Sequence, residues 1–234
     1  GVIVYYNLKT YDSKKDSVSI SFSDLNGKII KTFSNFDSKN SLNPNKGSNK
    51  FVWNTKHEGP EVLDGMIFWS VSFSGAKVSP GKYNVKLKKN GLIKSQSFDI
   101  LINPNSEATI EDIQSQVTYV NLINELVDRA HKVIKKIRKI NSSLIEFEKN
   151  YEGSKEYSSL ILKSKKLRDQ LLKIEKALYQ TQNRSSQDPL NFPIKLTNKL
   201  GHLNSLVTYN DFPPTNQDEE VRIELTEKVE KQLE

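Results

Sequence analysis

The sequence predicts an α+β chain with segregated halves. Residues 1–104 read as an antiparallel β-sandwich, and residues 105–234 as an all-α region built on a long helical hairpin. Three observations predict this. From residue 2 to about residue 102 the apolar residues recur with period two. At Asn103-Pro104-Asn105-Ser106 that pattern stops, and beyond it apolar residues recur at three and four. Gly, Pro and Asn divide the first half into about seven short segments, a spacing that indicates a sandwich.

The strands follow in order. Val18, Ile20 and Phe22 alternate with Ser17, Ser19, Ser21 and Ser23, as in a half-buried strand. Asn26-Gly27 supplies the positive φ values of a tight turn, and a second strand runs over Lys28–Ser34. Further strands are expected at Lys50–Asn54, Ile67–Phe73, Lys82–Lys88 and Ile93–Leu101, the last pair closed by Asn90-Gly91. Ser79-Pro80-Gly81 marks the entry to the Lys82 strand, because Pro lacks the ladder donor and Gly frees the backbone. Asp37–Ser48 and Thr55–Gly65 read as irregular surface loops, where a scaffold usually carries binding function.

The helices begin at Thr109-x-x-Asp112, which resembles a capping box with Asp in place of Glu or Gln. Ile113, Val117, Val120, Ile123, Val127, Ala130, Ile134, Ile137, Leu144 and Phe147 mark one face of a helix over 110–149, ~60 Å long at 1.5 Å per residue. Asn150–Ser154 turns the chain. Lys155–Gln182 is expected as the second arm, with a stripe of Leu160, Leu167, Leu171, Ile174 and Leu178. A third helix is expected near Pro193–Val207. Thr215-x-x-Asp218 caps a fourth, which runs to the end of the chain. The alternating start at Gly1 and the helical pattern that reaches Glu234 suggest a piece of a longer protein.

Charge and composition narrow the function. The net charge of +7 lies wholly in residues 1–105, which hold 15 Lys, no Arg and 8 acids. Nucleic-acid readers use the forked guanidinium, so scattered lysines point instead to a solvated sheet face with edge lysines. Mean hydropathy is −0.60, and no apolar run reaches the length of a membrane span. With no cysteine, disulfides, thiolate metal sites and cysteine nucleophiles are excluded. His57, His131 and His202 fall in different elements with no metal-ligand spacing. The helical acids alternate with Lys and Arg, as in Glu125 with Arg129 and Asp128 with Lys132, which is the spacing of an exposed helix. The basic stretch Arg129–Lys139, with Lys132, Lys135, Lys136 and Lys139 on one face, reads as the outer face of the hairpin, the alternative being a surface for a membrane or an acidic partner. No catalytic residue, cofactor or metal ligand is therefore named.

Two sets of residues stand out as candidate sites. Trp53 and Trp69 lie within strand patterns, either as core or as a platform for stacking a sugar. Gln187, Asp188, Pro189, Asn191, Phe192, Pro193 and Asn198 describe a fixed corner. There Pro189 and Pro193 restrict the backbone, and Asp188 or Asn191 is expected to cap the third helix as it docks.

A resemblance accompanies these motifs. Phe51-Val52-Trp53-Asn54 followed by Pro80-Gly81-Lys82-Tyr83-Asn84-Val85-Lys86-Leu87 resembles the Ig-like fold of flagellar hook-capping proteins and many secreted Bacteroidetes proteins. Ala108–Gln116, Ser186–Ile194 and Asn198-Lys199-Leu200 look like the C-terminal region of large bacterial proteins with Asp-box or sortilin-like β-propeller repeats, often labelled glycosyl hydrolases. The resemblance covers essentially the whole chain, but the sequence contains no Asp-box (Ser-x-Asp-x-Gly-x-x-Trp). It implies a non-catalytic accessory module of a secreted, periplasmic or cell-surface protein. Its partners would be the propeller domains of the same parent chain and a protein or glycan ligand at the cell surface, with no nucleic acid and no membrane insertion. The rival expectation is a carbohydrate-binding or hydrolase-associated domain that uses Trp53 or Trp69.

Overall fold

A computed structural model describes residues 1–71 and 73–234. Among them are six strands and four α-helices, in an α+β arrangement with two antiparallel sheets followed by the helical region. Cα proximity divides the chain into two units. The first comprises Gly1–Glu58 and Ser74–Val117, the second Gly59–Phe73 and Thr118–Glu234.

In the first unit, β1 (Val2–Leu8) pairs with β4 (Gly47–Trp53). A second sheet runs in the order β3 (Ile29–Ser34), β2 (Val18–Ser23), β5 (Gly81–Lys89), β6 (Leu92–Ile100). The serine alternation of β2 works as its period dictates: Val18, Ile20 and Phe22 are buried while the serines between them are half-exposed. Phe22 stacks on Trp53 with ring centroids 4.2 Å apart, so residues of both sheets contribute to one apolar cluster with Leu8, Val18, Ile20 and Tyr83. Asn90 and Gly91, both at positive φ, close β5 onto β6 as a two-residue hairpin. The lysines of β5 depart from the edge role expected of them. Lys86 and Lys88 lie exposed on an interior strand, where they solvate the outer face.

The strand expected over 67–73 does not form among the described residues, and Ser72 lies outside them. Its alternation of Ile67, Trp69, Val71 and Phe73 is that of a strand, but the chain bends at Trp69–Ser70, with Ser70 at φ +48°. The main-chain groups of Ile67 and Trp69 bond to helix-region side chains, however, not to a neighbouring strand. The excursion has a closed neck. The His57 amide donates to the Ala76 carbonyl (2.7 Å) and the Val78 amide to the Thr55 carbonyl (2.8 Å). Gly75 is required there, because a Cβ would lie 2.0 Å from the His57 carbonyl oxygen.

The helices are α1 (Ile110–Asn150), α2 (Ser158–Leu178), α3 (Leu196–Val207) and α4 (Asn216–Leu233). Thr109 and Asp112 exchange the two hydrogen bonds of a capping box, and Thr215 and Asp218 do the same for α4. Arg138 of α1 bonds Glu175 of α2, and Glu148 of α1 bonds Ser164 and Arg168. Partner numbers fall on one helix as they rise on the other, so the pair is an antiparallel hairpin. Tyr119 to the Asp218 carbonyl and Arg129 to Glu230 rise together, so α4 runs parallel to α1. The second arm is shorter than expected. At its C-terminal end Tyr179 is extended, and Leu160 and Leu167, expected on the buried stripe, are 48% and 42% exposed.

Candidate functional site

The most constructed feature of the helical unit is its grip on the segment 59–73. Asp128 of α1 accepts the Glu61 amide at 3.1 Å, and one turn along the helix His131 Nδ1 donates to the Glu61 carbonyl at 2.6 Å. Lys135 then pairs with the Glu61 carboxylate at 2.6 Å. The i, i+3, i+7 spacing of Asp128, His131 and Lys135 puts all three on one stripe of α1. Just beyond α2, the Tyr179 hydroxyl accepts the Ile67 amide at 2.8 Å, and Asn183 Nδ2 donates to the Ile67 carbonyl at 3.3 Å. On α3 the carboxamide of Asn198 reads both main-chain groups of Trp69. It accepts from the amide at 2.7 Å and donates to the carbonyl at 3.2 Å.

Apolar contacts fill the space between these bonds. The Phe68 ring meets Phe73, Tyr179 and His131 at centroid distances of 4.7, 5.5 and 5.7 Å. Gly201 of α3 gives room to Val71 and Phe73, because a Cβ there would come within 3.0 Å of both side chains.

The electrostatics follow from this enclosure. His131 is fully buried, and burial holds its imidazole below the ordinary value despite the Glu61 carbonyl and the nearby Asp128 and Glu61 carboxylates. A carbonyl only accepts, so the neutral ring carries its proton on Nδ1. Its Nε2 is buried without a hydrogen-bond partner among the described residues, as is Asn183 Oδ1. Burial pushes the Asp128 carboxyl up, but Lys132 and the Glu61 amide together hold it below the usual range. Lys135 lowers Glu61. Arg138 joins this surround by bonding Glu175 while lying over the Tyr179 ring.

The sequence-predicted residues divide. Trp53 is fully buried, stacked on Phe22, with its indole N–H donated to the Lys56 carbonyl. A ring sealed in a core offers no face to a glycan, which corrects Trp53 as a stacking candidate. Trp69 is half-buried. Asn198 and Trp69, assigned to separate candidate sites by the sequence reading, hydrogen-bond directly.

The remaining corner residues stand apart from that pair. Asp188 accepts the amides of Arg184 and Ser185, which hold its carboxyl low, and so fixes the turn leading into a short 3-10 segment, Asp188–Leu190. It does not cap α3, and neither does Asn191. The N-cap is Lys195, with no side-chain bond. Pro193 is held through its carbonyl by Gln180, Phe192 and Pro189 are half-buried, and Gln187 and Asn191 are exposed.

Asp128, His131, Lys135, Tyr179 and Asn183 were missed as parts of a site. The only signal was His131 lying between Val127 and Ile134 on the apolar face of α1. Among the described residues no group of three or more His, Asp or Glu could hold a metal ion, and no helix is long and apolar enough to cross a membrane. A hollow between α2, α3 and α4 is lined by Lys195, Lys199, Lys228 and Lys231, with Lys228 already paired to Glu224. Nothing matches the chain among protein-family models, curated proteins or solved structures.

Proposed function

We infer that the chain is a non-catalytic accessory module whose helical unit serves attachment. On the resemblance of its motifs, it belongs to a secreted, periplasmic or cell-surface protein in which β-propeller domains of the same parent chain are its partners. The observation that carries this reading is how the inward-facing ionisable groups of the helical unit are engaged. Asp128 and His131 hold the Glu61 main chain, Glu175 holds Arg138, and Glu148 holds Ser164 and Arg168. Groups engaged in this way hold the chain's own segments in place, which is the work of a structural or attachment module. An Ig-like reading of the first unit is supported by the buried Trp53 and by Tyr83, whose hydroxyl returns to the Ser79 carbonyl at 2.6 Å beside the Pro80-Gly81 entry.

The test is direct. The isolated chain is assayed on a panel of chromogenic glycosides and run on glycan affinity gels. No turnover and no retardation are expected. Turnover lost on replacing one carboxylate would sink the reading. Retardation abolished by Trp69→Ala would establish the carbohydrate-binding alternative in its place.

A further inference from the structure

We propose that the groove lined by α1, the turn after α2, and α3 is a peptide-binding site. Residues 59–71 and 73 occupy it here in cis, and it takes a partner's peptide of the same chemistry, turned as at Asp64-Gly65, in trans. That chemistry is an acidic residue followed, six positions on, by an aliphatic residue and two aromatics, as in Glu61, Ile67, Phe68 and Trp69. The proposal rests on the attachment reading above and names the kind of partner the helical unit would attach.

Three features carry it. First, recognition is directed at main-chain groups. Asp128 and His131 bracket Glu61, Tyr179 and Asn183 bracket Ile67, and Asn198 alone brackets Trp69. The chain turns between the first two clamps, where the Met66 amide donates to the Leu63 carbonyl and Gly65 lies at φ +76°, so the framework fits a peptide that makes that turn, and selection among such peptides falls to side chains. Lys135 supplies the charge that selects an acidic residue, and Tyr179, with the apolar surround of His131, supplies the aromatic site.

Second, the occupant is separable from the sheets. Its neck is closed by the His57–Ala76 and Thr55–Val78 bonds, so residues on either side are already neighbours without it. Third, the occupant leaves capacity unused. His131 Nε2 and Asn183 Oδ1 are acceptors on groove residues, over nine-tenths buried and without a partner among the described residues. Ser70, directly after the Asn198 clamp, is held at φ +48°, a region a serine rarely adopts. A peptide free of the neck avoids that constraint and can place a donor at either acceptor.

The tethered segment competes at an effective concentration of roughly millimolar, so the groove has to be vacated before it can be assayed. In the test chain, residues 59–73 are replaced by a short Gly-Ser link, which the closed neck permits. The probe is a fluorescein-labelled synthetic peptide of residues 59–73, followed by anisotropy. Saturable one-to-one binding is expected, roughly tenfold or more tighter than to the intact chain. Asn198→Ala in the shortened chain, and a scrambled peptide, should each abolish most of it.

A shortened chain that keeps its helical circular dichroism but binds no peptide up to about millimolar would overturn the proposal. If the shortened chain loses its helices, the intact chain carrying Phe68→Ala decides, because its own segment is weakened while the groove is unaltered. Uptake of the probe by that variant and not by the parent chain supports the site, and no uptake refutes it. Failure here leaves the non-catalytic reading standing, whereas glycoside turnover would remove that reading without touching the peptide titration.

Discussion

His131 concentrates the chemistry of the helical unit in one ring. Burial outweighs Asp128 and Glu61 to hold its pKa below the ordinary 6.5, with Arg138 acting in the same direction as burial. The sign follows. The unfolded chain takes up the proton first, so the stabilisation is complete above about 6.5 and declines as pH falls from there towards the folded value, by at most about 1.4 kcal/mol per pH unit. We expect the melting temperature to drop more between about pH 7.5 and about pH 5 for the parent chain than for His131→Gln. His57, also lowered by burial and by Lys28, contributes equally to both proteins, so the difference isolates His131. Equal drops would show that the ring is not a buried neutral donor. Of the two tryptophans, Trp53 was readable as core from its strand pattern. Trp69 has the same pattern and a different partner, and alternation alone does not distinguish them.

Elements were readable where the signal is local. Both capping boxes, the Asn90-Gly91 hairpin and the start of α1 depend on residues within a few positions of one another. The segment 67–73 was misread because apolar alternation shows period two whether the main chain meets a strand or bends into the carboxamide of a distant Asn198. Asp188 was misread for a related reason, since a carboxylate ahead of a helix suits either an N-cap or the turn before it. Its bonds to Arg184 and Ser185 decide for the turn. The neck offers the sharpest check on this level. Gly75→Ala would force a Cβ against the His57 carbonyl, and neither backbone can give way without breaking the bond to Ala76. A loss of about 1–3 kcal/mol is expected, measured by urea unfolding. An unchanged midpoint would mean that the neck is open in solution.

Across the whole chain the order of sheets then helices, and the change of period at 103–106, were readable from the sequence. The grouping of 59–73 with the helices was not, because it depends on contacts separated by up to 129 positions. That grouping changes what a truncation should do. Residues 1–104 have their own apolar cluster and enough chain for a domain. Carried alone, they would also present Ile67, Phe68, Trp69 and Phe73 without the groove that receives them. A 1–104 fragment in which 59–73 is replaced by a short Gly-Ser link is therefore expected to give dispersed, concentration-independent amide spectra. The fragment that keeps the segment should broaden and associate as concentration rises. Collapsed spectra from both would mean that the sheets need the helices to fold.

The closed neck also has an evolutionary consequence. The His57–Ala76 and Thr55–Val78 bonds lie outside 59–73, so the residues within the excursion and those flanking it carry different structural demands. A change between the two points therefore bears first on the bonds to the helical unit rather than on sheet register. On the peptide-groove proposal, the groove and its matching segment would change together, as a lock and key inherited in a single gene.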